Sequence, residues 1–239
     1  MINAYSLAKS DFMTSAFPAN FGNGLSGVFD LNFRRGNNQK TEFTGQLSLI
    51  GLDFGMEGPI GKSGSSYRVA GRYSTLQLLL STNIINLNTN NYNPDFRDLN
   101  FTVDVPTKKS GVFSLWGLMG NNETYQTTLT EKNIDKGSLN VFGINHKISF
   151  RKVFFKNILS FSYQSQENLK QNMTGGVTGL VNRQLIYKYP SLRFSSSLTY
   201  KFNNRLTMES GIVLSDLSYN LKDNRLGSKN VLFNYLNDD

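Results

Sequence analysis

Few side chains in this chain have types and spacing suited to chemistry. There is one histidine, His146, and no cysteine. A Ser-His-Asp hydrolase would have to use His146 as its base. Asn145 and Lys147 flank it inside a regularly alternating segment, and no nucleophile motif accompanies it. Thiolate metal sites and disulfides are excluded, and a single histidine leaves only carboxylates as metal ligands. Asp95, Asp98, Asp135, Asp216 and Asp223 fall in or near polar connectors, where paired carboxylates could bind Ca²⁺, but no EF-hand spacing joins them. Gly22, Gly24 and Gly27 spell GNGLSG, the letters of the dinucleotide fingerprint. That motif needs a strand before it and a helix after it. Here a strand-like segment follows, so a glycine-rich bend is expected instead. Gly61-Lys62-Ser63 echoes the end of a P-loop, yet Met56 stands where its first glycine would be. No enzymatic activity, cofactor or metal is expected.

The net charge of +8 would suit a polyanionic partner if it were clustered. The basic residues are instead scattered, several of them in short turns (Lys62, Lys108, Lys109, Arg151, Lys152). Nucleic-acid binding needs a continuous phosphate-facing patch and is not expected. Met1 to Ser10 shows no charged region followed by an apolar stretch, so no secretion signal is read there. The longest apolar run, around Leu76–Leu80, is far short of the roughly 18 residues of a spanning helix. Hydropathy alone overlooks β-barrels, whose strands alternate and average out.

Alternation is the dominant pattern. Phe29, Leu31 and Phe33 alternate with Asp30, Asn32 and Arg34. From 42 to 57, Phe43, Leu47 and Leu49, then Leu52, Phe54 and Met56, alternate with polar residues. The parity changes between Leu49 and Leu52, which places a tight connection or bulge near Ile50–Gly51. The pattern resumes at Leu99–Val105, Phe142–Phe150, Leu159–Tyr163 and Phe194–Phe202. Strands over 112–127, 157–171 and 186–202 are longer than the usual five or six residues. Trp116, with Leu115, Leu118 and Met119, makes one stretch apolar on both faces, which reads either as a packing surface or as an internal bulge.

Connectors alternate in length. Short ones lie at Gly61–Ser66, Pro106–Gly111, Arg151–Lys156 and Asn203–Asn204; long polar ones lie at Ser81–Asp95, Leu129–Lys136, Met173–Gln184 and Lys222–Lys229. Up-and-down outer-membrane barrels have this rhythm of short periplasmic turns and longer extracellular loops. Aromatics beside the short turns (Tyr67, Phe113, Phe150, Phe154, Phe155, Phe202) stand where an interfacial girdle would lie. The expected fold class is all-β: an antiparallel up-and-down meander of about nine to ten strands, part of a transmembrane barrel.

The stretch FPANFGNGLSGVFDLNFRRGN (17–37) resembles the end of the plug domain of TonB-dependent outer-membrane receptors. The residues that carry the likeness are Phe21 and Gly22, then Gly24, then Gly27, Val28 and Asp30, then Arg35, Gly36 and Asn37. The following EFTGQLSLIGLDFGMEGPI (42–60) is similar to a first barrel hairpin, and RYSTLQLLL (72–80) to the third strand of receptors common in Bacteroidota. Asn20 stands where an acidic residue is frequent, and Phe33-Arg34 replaces a Thr-Lys-like pair. The resemblance implies that residues 1–38 are the C-terminal end of a plug and 39–239 the N-terminal portion of the barrel. It implies a Gram-negative outer-membrane location, outer-membrane lipid as surroundings, and active uptake of a scarce nutrient (siderophore, cobalamin or glycan) coupled to a TonB complex. It also implies a partial wall, an open and incomplete barrel, since such barrels have about 22 strands. The expected chain is therefore a fragment, not competent for transport alone. The Asn-rich stretch 83–100 reads first as a solvated loop, and the resemblance makes it a lesser candidate for ligand contacts. Other readings are a small outer-membrane porin or barrel enzyme, and a soluble all-β binding module.

Overall fold

The structure is a computed structural model that describes residues 6–14, 17, 21, 26–48, 51–74, 92–174, 177–225 and 231–233. It is all-β, with no α-helix among the described residues. A small hairpin of β1 (Asp11–Thr14) and β2 (Gly27–Asp30) precedes the main sheet, its Phe12 and Phe29 rings stacked at 4.3 Å. The main sheet runs in chain order through β3 (Glu42–Leu47), β4 (Leu52–Ile60), β5 (Ser65–Tyr73), β6 (Tyr92–Pro106), β7 (Val112–Thr127), β8 (Glu131–Phe150), β9 (Val153–Thr174) and β10 (Val177–Lys201). Beyond β10 the chain returns along it as β11 (Thr207–Leu217) and β12 (Asn220–Arg225), followed by β13 (Val231–Phe233) on β12. β11 and β12 pair with the two halves of β10, with the Ser218 amide donating to the Pro190 carbonyl between them. Every pairing is antiparallel, and β3 pairs with none of β11, β12 or β13. The expected open meander is the observed one.

The turns follow from their residues. Ser48 N–H donates to the Gly51 carbonyl at 2.9 Å and closes the β3–β4 hairpin, which accounts for the parity change read there. Gly111 closes the β6–β7 turn with φ +77, and a Cβ there would lie 2.2 Å from the Lys147 carbonyl oxygen, so glycine is required. Arg151 and Lys152 alone join β8 to β9, with Arg151 at φ +38, as a two-residue hairpin demands.

Several connectors differ from expectation: Lys222–Arg225 of the expected Lys222–Lys229 loop lies in β12, and Val153–Lys156 of the expected Arg151–Lys156 turn lies in β9. Leu129–Lys136 is not a loop: β8 begins at Glu131, and the Thr128 amide donates to the Glu131 carbonyl at 2.8 Å. Met173–Gln184 likewise lies almost wholly in β9 and β10. Polar residues fill both segments, so apolar alternation could not mark them, but the backbone ladder continues. The stretch 75–91, which holds most of the expected Ser81–Asp95 loop and the Leu76–Leu80 run, lies outside the described residues.

Paired residues share a face, so the register sorts every side chain. One face is apolar and exposed. Crossing the sheet, it runs Met56, Val69, Phe101, Gly117, Phe142, Phe161 and Leu192. On β8 it reads Phe150, Ile148, His146, Ile144 and Phe142, then turns polar at Asn140, Ser138 and Lys136. Those nine residues cover about 27 Å along the strand. The same change occurs at Arg97 on β6, Asn121 on β7 and Lys188 on β10. Within the apolar belt, the Phe101 and Phe142 rings lie over Gly117, where a Cβ would come within 2.4 Å of Phe101. Tyr67, Phe113, Phe150 and Phe155 stand on this face beside the short turns, whereas Phe154 is on the other.

The opposite face is polar and partly buried. Glu57, Arg68, Asp98, Asn100, Thr102 and Asp104 are all under 9% exposed, while the only buried apolar side chains among the described residues are Ala70 and Leu118. This inverts the usual distribution of a water-soluble domain.

Candidate functional site: the polar face and the N-terminal segment

What buries the polar face is the chain's own beginning. Phe33 meets Trp116 with ring centroids 5.8 Å apart, and Thr102 donates its hydroxyl to the Arg34 carbonyl. We term this the inner face. Trp116 sits in unbroken register with Thr102 and Gly143, so it marks a packing surface and not a bulge. Its indole N–H donates to Asn145 Oδ1 at 2.9 Å, and Gly143 makes room for the ring.

Glu57 is the centre of the contact. β4 presents it to the inner face opposite Arg68 of β5. Its Oε1 accepts from Arg34 Nη2 at 2.5 Å and lies 3.7 Å from Arg68 Nη1; its Oε2 accepts the Asn37 amide at 2.9 Å. One buried carboxylate thus holds both a side chain and the backbone of the N-terminal segment. Arg35 approaches Asp104 at 3.7 Å, and Asp104 also accepts from Ser114. Arg72 pairs with Asp53 at 2.9 Å and lies 3.8 Å from Asp98. Buried charges are tolerable only when paired in this way.

Gly36 lets the segment sit so close. A Cβ at Gly36 would lie 2.1 Å from the Tyr67 carbonyl oxygen, a backbone atom that cannot swing aside. Gly36→Ala is therefore expected to lift residues 34–37 from β5 and break the Asn37–Glu57 bond. Amide exchange at Asn37 checks this: protection equal to that of the unaltered chain would refute it.

The other anticipated residues are placed as follows. Gly27, Val28 and Asp30 lie on β2, paired with Thr14, Met13 and Asp11. Phe21 is described outside any strand, and Gly22 and Gly24 lie outside the described residues. A strand does follow the GNGLSG stretch, against the dinucleotide motif. Residues 83–91 of the Asn-rich stretch lie outside the described residues, and the remainder forms β6. His146 faces outward against Phe113, ring centroids 4.5 Å apart, with Nε2 2.7 Å from the Ser110 carbonyl oxygen and Nδ1 3.4 Å from Asn157 Nδ2. Its ring thus ties the β6–β7 turn to the sheet.

The five aspartates are not brought together, and no group of three metal-ligating side chains occurs among the described residues. Asp98 lies near Arg72, and Asp135 accepts from Asn168 Nδ2. Asp223 accepts a two-pronged bond from Arg183 at 3.0 and 2.9 Å and another from Arg225. The Arg183 and then the Arg225 bonds hold the Asp223 carboxyl down at about 2. Its unfolded value is about 3.9. A depressed folded value stabilises above the unfolded one and loses that contribution as pH falls through the folded one. Protection of the β10–β12 pairing is therefore expected to hold from neutral pH to about 4 and to decline between about 4 and 2. An Asp223 carboxyl titrating at 4 or above by NMR would refute this.

Sequence reasoning missed the Glu57–Arg34 contact. The available signal was charge at inner positions of otherwise alternating strands: Glu57 on β4 and Arg68 on β5 are direct register partners. No family model, curated protein or solved structure matches this chain.

Proposed function

We propose that this chain forms part of the wall of an outer-membrane β-barrel transporter of the TonB-dependent receptor type, with residues 1–38 as the end of its plug. The observation that carries the reading is the inversion of the sheet. An apolar belt about 20 Å tall at the usual barrel tilt faces outward, and a polar face holds the N-terminal segment inward through Glu57. A soluble sheet has no reason to expose Phe43, Ile144, Leu159 and Phe161 while burying Glu57, Arg68 and Asp104. A barrel wall in lipid requires that arrangement. In this reading the surroundings are outer-membrane lipid, the task is energised uptake of a scarce nutrient, and the described sheet supplies only part of the closed wall. The N-terminal segment would be the movable part, its hold on the wall set by buried ion pairs.

The absence of cysteine makes a direct test simple. Single cysteines at Leu115, Ile144 and Phe161 on one face, and at Ser114, Asn145 and Ser162 on the other, can each carry an environment-sensitive dye. In lipid vesicles the first three are expected to show blue-shifted emission quenched by brominated lipid, and the second three neither effect. Equal water exposure of all six would overturn the wall reading. Uptake itself is tested by disrupting the gene and measuring entry of iron chelates, cobalamin and oligosaccharides. Loss of one uptake that a protonophore also abolishes is expected; uptake indifferent to the protonophore would exclude energised transport.

A further inference from the structure

Beyond the apolar belt, one part of the inner face is built differently. Tyr187 and Tyr189 occupy successive inner positions of β10, ring centroids 6.4 Å apart and planes within 5°. Tyr219, between β11 and β12, completes the group at 5.1 Å from Tyr189 and 6.4 Å from Tyr187. On the neighbouring strand β9, the register partners of Tyr189 and Tyr187 are Gln164 and Gln166. Both glutamines are exposed, and neither amide has a protein partner among the described residues. They form one side of a cavity of about 310 Å³, with Asn122, Asp135 and Gly137 across from them on β7 and β8. Gly137 keeps that side open: a Cβ there would lie 2.5 Å from Asn122 Oδ1.

The charges around this group are largely satisfied internally. Asp135 is bonded by Asn168, Arg183 by Asp223, and Lys136 lies 3.6 Å from Glu123. The nearest remaining inner-face cations on these strands, Lys170 and Arg193, stand four residues beyond Gln166 and Tyr189, about 13 Å along the strand in opposite directions. Capture of a carboxylate or phosphate uses a guanidinium or ammonium aimed into the site; Lys136 lines the cavity and Arg183 lies near Tyr187, but each is already turned to a carboxylate of its own. Three phenol rings beside two free amides suit a ligand with an apolar ring face and a rim of hydroxyls. The rings stack on the face, and each amide both donates to and accepts from neighbouring hydroxyls.

We propose that Tyr187, Tyr189 and Tyr219, with Gln164 and Gln166, form a subsite for a neutral oligosaccharide. This rests on the barrel-wall reading for its access from outside the bilayer, and narrows the nutrient class of that reading.

The test uses the full chain in detergent micelles, titrated with maltohexaose, cellohexaose, an oligogalacturonate and an iron-hydroxamate chelate by calorimetry. At least one of the two neutral sugars is expected to bind. Tyr189→Ala should weaken it about tenfold or more, whereas Tyr189→Phe, which keeps the stacking face, should stay within about twofold. Gln164→Ala, at an exposed position with no protein bond to lose, should weaken it about threefold or more, and so covers the case in which Tyr189→Ala does not fold. The inference is overturned if neither neutral sugar binds, if the acidic sugar or the chelate binds more tightly, or if sugar binding is unchanged in Gln164→Ala and in folded Tyr189→Ala. Dye emission from the cysteine series, read in vesicles of the same preparation, separates the two ideas. Sugar binding with outward cysteines still in water would sink the wall and leave the subsite; the converse would sink the subsite and leave the wall.

Discussion

Glu57→Ala is expected to destabilise the refolded chain by about 3–5 kcal/mol and to free residues 34–37 from the wall. The magnitude follows from what stays behind. The Glu57 side chain is 8% exposed and that of Arg68, 3.7 Å away, is 5% exposed, so deleting the carboxylate removes a buried negative charge from beside a buried guanidinium. The Asn37 amide also loses its acceptor. Arg34 adds less, since its side chain is 44% exposed and can be rehydrated. Glu57→Gln should cost less than Glu57→Ala, because an amide oxygen can still accept from Asn37. Arg34→Ala should cost least. Denaturant midpoints in detergent give this ordering. Trypsin gives the structural half, since Arg34 and Arg35 are cleavage sites within the docked stretch. Cleavage there should accelerate in Glu57→Ala before the sheet itself unfolds. An unchanged cleavage rate would mean that the carboxylate does not hold the segment.

The fold was legible where one face of a strand is apolar throughout, and obscure where neither face is. Phe142, Ile144, Ile148 and Phe150 betray β8 because every second position must be apolar there. The first half of the same strand, from Glu131 to Asn140, carries no such pattern. Both of its faces meet water, so any polar residue serves, and the segment reads as a loop. What holds it is the ladder with β7 and β9 and polar cross-strand pairs such as Lys136 with Glu123.

The inner face was obscure for a related reason. Glu57, Arg68 and Asp104 look like ordinary solvated positions until the N-terminal segment covers them. A single strand pattern does not say which polar residues will be covered. Gly36 was legible as part of a motif, but its reason was not, because the Tyr67 carbonyl that excludes a side chain lies on another strand. The tyrosine group had a readable sign in Tyr187-Lys188-Tyr189, two rings on one face, with the third ring supplied by the returning strand.

Ile144→Arg offers the sharpest separation between a wall in lipid and a sheet in water. Ile144 is 52% exposed at the middle of the outward belt. In water an exposed isoleucine can be replaced by arginine with a change within about 0.5 kcal/mol. At the bilayer midplane the same arginine costs about 2–4 kcal/mol on the lipid face of a barrel. Leu129 is the matched control: it is 95% exposed at the tip of the β7–β8 hairpin, beyond the row where the outer face turns polar at Asn121 and Asn140. Leu129→Arg should be neutral under either reading. The expected result in urea titrations of the chain folded into vesicles is a large loss for Ile144→Arg and none for Leu129→Arg. Two small, equal effects would place the belt in water and remove the transporter reading. Both substitutions put the same cation in place of an exposed apolar side chain, half-exposed at Ile144 and almost fully exposed at Leu129. A difference of several kcal/mol between them exceeds the roughly 0.5 kcal/mol of an exposed-site change and points to what surrounds the sheet.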